Sequence, residues 1–261
     1  MIDIENAKKE FIKYVEQYDL TSGRIKLKVD HILRVTENSR YLAQELNLEE
    51  EQINLAELIG LFHDIGRFEQ VKQYDTFSDK DTGIDHASYS LKVLYEDGLI
   101  KKFLNTNKYD YIIKKAVFNH NKANIEENLD EESLLFSKII RDADKLDIFK
   151  VINQDKMEDI FWYKEFENLK ISKNLVQEFL NNKIVYYKDV KNNADQIITF
   201  FAYVYDLNFP SCFKILKKHK YLENFLIRVE KKFQNEEIIS TTKELLNIIN
   251  NYIDEQIENI E

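Results

Sequence analysis

"GLFHDIGRFEQ", residues 60–70, continues the apolar run "NLAELI" of residues 54–59 without a break. Leu55, Leu58, Ile59, Phe62 and Ile65 recur at helical spacing, so the stretch reads as a buried helix. Yet His63 and Asp64 stand side by side in its middle, with Gly66 two residues on. A carboxylate in apolar surroundings is costly unless a positive group meets it. The chain must supply that partner, or a metal must.

The rest of the sequence sets the frame around that stretch. It has 261 residues, 44% hydrophobic and 32% charged, enough for a sizeable core and typical of a globular chain. All five glycines (Gly23, Gly60, Gly66, Gly83 and Gly98) lie in the first 98 residues, and Pro210 is the only proline. A β-rich fold of this length needs more turn residues. Turns are expected instead in clusters such as "NTNK" and "KNNAD", and the chain reads as all-α. The net charge of −10 argues against a sequence-independent grip on nucleic acid. A small anionic substrate stays compatible with it, because a bound metal reverses the local field. Cys212 is the only cysteine, which rules out an intrachain disulfide and suits a reducing cytoplasm. The first twenty residues are charged throughout, with no signal-peptide core, and the longest apolar run, "IITFFAYVY", is too short to span a bilayer.

Periodicity places helices at 3–19, 31–47, 51–66, 86–96, 108–120, 131–150, 158–168, 173–188, 194–206, 211–231 and 236–259. Asp30 and Asp85, each just before a histidine and an amphipathic run, read as N-caps, and Asp130 with Glu131 and Glu132 as an acidic helix start. Residues 69–89 read as a polar surface loop between two helices. From about residue 155 the chain is rich in Lys, Glu, Phe and Tyr with helical periodicity and no catalytic motif.

Of five histidines, four fall on inward faces. His31 leads the stripe Val35, Leu42, Leu46. His120 closes the stripe Tyr109, Ile112, Ile113, Ala116, Val117. His86 shares a face with Ser90 and Val93, and His63 a flank with the small residues Ala56 and Gly60. Asp144, in "SKIIRDADKLDIF", lies one turn after Ile140. Taken singly, each reads as a core histidine or a capped acid. Four histidines and two acids together need a shared reason for burial, and a metal site supplies one: imidazole and carboxylate are common ligands of Mn, Fe, Co, Ni and Zn. His219, in "KKHKY", reads as a surface residue.

At these positions the chain resembles the HD superfamily of metal-dependent phosphohydrolases. His31, the doublet His63-Asp64 within "HDIG", and Asp144 within "DADKLD" match the early His, the His-Asp pair and the later Asp that ligate one metal in that family. His86 and His120 resemble the two further histidines of members that bind two metals. The likeness covers roughly residues 20–150. It implies an HD-type helical bundle with additional C-terminal helices, divalent transition-metal ions (Mn, Fe, Co, Ni or Zn, with Mg admissible), and phosphomonoester or phosphodiester substrates, often nucleotides. The expected organisation is an HD-type hydrolase core over 1–154 and a helical region over 155–261 packed on it, with no assigned role.

The chemistry supports the same reading. Hydrolysis of a phosphate ester needs a nucleophile at neutral pH, charge compensation and in-line geometry, and two ions about 3.5–4 Å apart supply all three. Asp64, with two oxygens, is the natural bridge. His31, His63 and Asp144 complete one shell, and His86 and His120 the other. The attacking group is a metal-activated water. Arg67 and Lys145 are candidate phosphate contacts. The expectation is a cytoplasmic phosphohydrolase acting on a small phosphorylated molecule such as a nucleotide. It includes no membrane and no extended nucleic acid as partner, and it is compatible with a homo-oligomer. Two rivals stand beside it: a di-iron oxygenase on the same ligand set, resembling myo-inositol oxygenase, and a non-catalytic nucleotide-sensing module.

Overall fold

A computed structural model describes residues 2–185 and 187–258. The α-helices are α1 (Ile4–Val15), α2 (Gly23–Glu45), α3 (Glu50–Phe62), α4 (Arg67–Tyr74), α5 (Asp79–Thr82), α6 (His86–Leu91), α7 (Asp110–Asn119), α8 (Glu131–Gln154), α9 (Met157–Ile160), α10 (Lys173–Leu180), α11 (Asn193–Ala202), α12 (Pro210–His219), α13 (Tyr221–Lys232) and α14 (Glu236–Glu258). The fold is all-α, with no strand among the described residues. No helix there is long and apolar enough to cross a membrane.

The chain divides into two compact units, Met1–Asp144 and Lys145–Glu261. The division falls inside α8, and the expected boundary at 154 is the end of that same helix.

In the first unit α3 is central. Every residue from Ile53 to Phe62 is buried, including Glu57, whose carboxylate meets Lys8 of α1 at 3.0 Å and Arg40 of α2 at 3.3 Å. A helix apolar all round belongs in the middle of a bundle, and α2, α1 and α7 pack on it. Gly60 sets the closest approach: a Cβ there would stand 2.8 Å from the Thr36 Cα of α2. Gly66 does the same toward α6, where a Cβ would stand 2.6 Å from the Ser90 backbone nitrogen, while the Gly66 N–H donates to Ser90 Oγ at 3.0 Å.

Several boundaries differ from expectation. α2 starts at Gly23, not 31, so Asp30 lies inside the helix and caps nothing; buried Ile25 anchors the extra turns. Asp85 is a cap, accepting the Ser88 N–H at 2.8 Å, and Asp130 accepts that of Ser133 at 2.9 Å. α3 ends at Phe62, and His63–Gly66 forms a tight turn into α4. Residues 69–89 are not one surface loop. They include most of α4 and all of α5, with Gln70 fully buried. The helix of 86–96 is α6 followed by a π-helical turn over Lys92–Glu96. The helix of 211–231 breaks at Lys220, whose left-handed backbone ends α12. The expected helix of 194–206 tightens to a 3-10 turn at Tyr203–Asp206. That of 173–188 ends at Leu180, and its position 186 lies outside the described residues, as does 259 of the last helix.

In the second unit α11 packs against α10 and α14, and α12 and α13 against α14. Of the expected helix 158–168 only residues 158–160, the end of α9 (Met157–Ile160), are helical. The side chains of α11 supply an alternative to helical hydrogen bonds there. Gln196 accepts the Trp162 N–H at 2.8 Å, Asn193 accepts that of Tyr163 at 3.0 Å, and Asp195 accepts that of Ser172 at 2.7 Å. Phe161 packs with Phe200, Phe225 and Phe233, while Trp162 is 40% exposed. His219 is exposed.

Candidate metal centre

All six expected ligands lie in Met1–Asp144, where five helices deliver them. His31 is on α2; His63 and Asp64 occupy the turn after α3; His86 opens α6; His120 closes α7; Asp144 is on α8. Asp85 fixes the start of α6, and its carboxylate also takes the Lys122 Nζ at 2.5 Å from the segment beyond α7. The helix starts and ends that bear His86 and His120 are thereby tied together.

The Asp64 carboxylate sits between two histidine pairs. Its Oδ2 lies 3.7 Å from His31 Nε2 and 3.6 Å from His63 Nε2. Its Oδ1 lies 3.6 Å from His86 Nε2 and 3.7 Å from His120 Nε2. Asp144 Oδ1 stands 3.3 Å from His31 Nε2. Two compact ligand groups result, His31–His63–Asp64 and Asp64–His86–His120, sharing the carboxylate. His63, His120 and Asp64 are buried at the floor, and His31, His86 and Asp144 are partly exposed above them.

The far ring nitrogens fix which way the lone pairs point. His63 Nδ1–H donates to Gly60 O and His120 Nδ1–H to Val117 O, each at 2.7 Å, while His86 Nδ1–H donates to Asp79 Oδ2 at 2.5 Å. These donations leave each Nε2 with its lone pair facing the centre. Nε2 faces Nε2 at 3.3 Å between His63 and His31, and at 3.1 Å between His86 and His120. Burial holds the His63 ring down at about pKa 3, so it is neutral at physiological pH. Burial, then the Arg67 guanidinium, lowers His86 as well.

Burial alone would raise Asp64, but the Lys28 ammonium and His63 hold it well below the usual carboxylate range. Asp144 is likewise held below the usual carboxylate range: burial opposes its charge, and the His31 hydrogen bond together with the charges of the neighbouring histidines outweighs the burial. Asp64 Oδ1 is buried and accepts no hydrogen bond among the described residues. Facing lone pairs on His86 and His120 and an orphaned anionic oxygen are a poor arrangement by themselves and a good one around cations. The mixed imidazole and carboxylate set suits divalent transition metals.

The two expected phosphate contacts have protein partners. Arg67 Nη1 donates to Phe77 O at 2.5 Å and meets Asp79 Oδ1 at 2.7 Å, with its Nε 3.5 Å from Asp64 Oδ1. Lys145 is ion-paired with Asp206.

Two residues at the centre were missed from the sequence. Lys28 Nζ lies 2.8 Å from Asp64 Oδ2. Its signal was its place one turn before His31, hidden by starting that helix at 31. Asp79 holds His86 and Arg67 together and left no periodic trace in a stretch read as loop.

Residues 29–149 match the family model of the HD domain, and this segment of the chain is an HD domain. The domain implies a metal-dependent, hydrolase-type function, and the ligand clusters are in place for divalent ions. No curated protein and no solved structure matches the chain.

Proposed function

We propose that the protein is a two-metal phosphohydrolase that cleaves a small phosphomonoester or phosphodiester, a nucleotide among the candidates, in the cytoplasm. The observation that carries the proposal is the Asp64 carboxylate, whose two oxygens each face a separate histidine pair. His31, His63, Asp144 and Asp64 Oδ2 would hold one ion, and His86, His120 and Asp64 Oδ1 the other. When bound, such ions lower the pKa of a coordinated water and offset charge on phosphoryl oxygens.

The remaining steps belong to the chain's own residues. Gly60 O, Val117 O and Asp79 orient the imidazoles. The buried floor of His63, His120 and Asp64 restricts solvent to the side where His31, His86 and Asp144 are partly exposed, and a phosphate ester would enter from that side. Arg67, bridging Asp79 and Asp64, keeps the second oxygen of the shared carboxylate aligned.

The test is a screen of 4-nitrophenyl phosphate and bis(4-nitrophenyl) phosphate with Mn, Co, Ni or Mg, with oxygen uptake recorded in parallel on iron-loaded protein. Metal-dependent ester cleavage that a chelator abolishes is the expected result. Oxygen consumption with no cleavage would replace the proposal by the oxygenase chemistry.

A further inference from the structure

Lys28 stands at the centre outside both the ligand set and the contacts that orient the imidazoles. Its Nζ lies 2.8 Å from Asp64 Oδ2, the oxygen that also faces His31 and His63. Its side chain, 18% exposed, stands on the partly open side with His31 (14%) and Asp144 (20%). The ammonium also sits 5.4 Å from the centroid of the Phe77 ring, and the Phe77 carbonyl is held by Arg67. An aromatic face steadies a cation and shields one side of it from water.

An ion held by His31, His63 and Asp64 must share Oδ2 with this ammonium. Two cations on one carboxylate oxygen repel, so the ammonium gains by meeting another anion within reach of its flexible stem. The chain carries a net charge of −10, and Asp79 and Asp144 flank the same opening. An incoming phosphate therefore gains from a protein cation there besides any bound ions. Arg67 is committed to Phe77 O and Asp79.

We propose that Lys28 is the substrate-binding cation of this centre. It contacts a non-bridging oxygen of the phosphoryl group and competes with metal for Asp64 when no phosphate is present. The inference rests on the phosphohydrolase reading for its ligand, and names the residue that recognises it.

The test uses the full chain with three variants: Lys28→Met removes the charge, Lys28→Gln keeps a hydrogen-bond donor toward Asp64 without charge, and Lys28→Arg keeps the charge. Circular dichroism checks folding, and Lys28→Gln carries the test if Lys28→Met fails to fold. Calorimetry measures inorganic phosphate binding to the Mn-loaded protein, and paramagnetic resonance of free Mn²⁺ measures metal affinity. The expected result for Lys28→Met and Lys28→Gln is phosphate affinity weaker by about tenfold or more. Mn²⁺ affinity should be equal or tighter, and Lys28→Arg should retain most of the phosphate affinity. Unchanged phosphate affinity in the neutral variants would overturn the inference while leaving the hydrolase reading intact. Mn²⁺ affinity falling together with phosphate affinity would also overturn it, making Lys28 part of the metal scaffold. Wild-type Mn-loaded protein that neither binds phosphate nor cleaves an ester would overturn the hydrolase reading, and the inference with it.

Discussion

At the scale of single residues, Asp64 is tolerable in an apolar bundle because positive charge reaches both of its oxygens. His86→Ala or His120→Ala should remove one bound metal and keep the other, whereas His31→Ala or Asp144→Ala should weaken the opposite ion. Metal per chain by elemental analysis on each variant measures this. A wild-type ratio of one, unchanged by His86→Ala and His120→Ala, would mean a mononuclear centre. Asp79→Asn probes the groups that orient the Oδ1-side ligands, His86 directly and Asp64 through Arg67. Asp79 fixes the His86 ring through Nδ1, and losing such an outer carboxylate typically costs 10–100-fold in metal affinity. The expected loss is confined to the ion on the Oδ1 side, and competition with a fluorescent chelator reads it. The six candidate ligands stood out in the sequence because polar types on apolar stripes contrast with their neighbours, and the structure brings them together. Asp79 did not stand out. Its partner Arg67 lies 12 residues away, and a short helix with no buried residues carries no hydrophobic pattern.

Among the elements, the turn His63–Gly66 is set by close backbone approach. Gly66→Ala forces a methyl against the Ser90 nitrogen and the Tyr89 carbonyl carbon, both under 3.0 Å. Backbone cannot yield as a side-chain tip can, so a loss of about 1–3 kcal/mol is expected in urea unfolding. A second tie runs from the end of α1 and the residues after it to this turn and to α4. Tyr18 donates to Glu69 Oε1 at 2.5 Å, and Tyr14 OH lies 3.5 Å from Ile65 O. Burial, with Glu69 beside them, pushes both phenols above the ordinary tyrosine range. The folded state thus keeps its protons where the unfolded chain releases them. The tie's contribution is complete below pH 10 and is lost as pH rises beyond it. Urea unfolding at pH 8 and pH 10.5 should show this decline, and the Tyr14→Phe/Tyr18→Phe double variant should show less of it. Element type was readable wherever an apolar stripe ran long, as in α3, α7 and α8. It failed at 161–172, where the aromatic spacing looked helical but Asn193, Asp195 and Gln196, distant in sequence, claim the backbone N–H groups.

For the molecule as a whole, every candidate ligand lies in Met1–Asp144, so metal binding should first be felt there. A ligand at 100 times its dissociation constant adds about 2.7 kcal/mol to the folded state. Hydrogen exchange with Mn²⁺ against chelator should slow in α2, α3, α6 and α7. Uniform exchange under both conditions would exclude a metal that bridges these helices. Finally, the two histidine pairs are held in register by main chain. Gly60 lies against the Thr36 Cα, and Gly66 against Ser90, whose Oγ takes its N–H. Cores accept many apolar exchanges if volume is kept, and here such exchanges leave the pairs' spacing to the backbone. In a combinatorial library, randomising Phe62, Ile65 and Ile113 among apolar residues should leave far more metal-binding clones than randomising Gly60, Gly66 and Ser90. The centre is robust to drift in the side chains that surround it and brittle at three small residues that bind nothing.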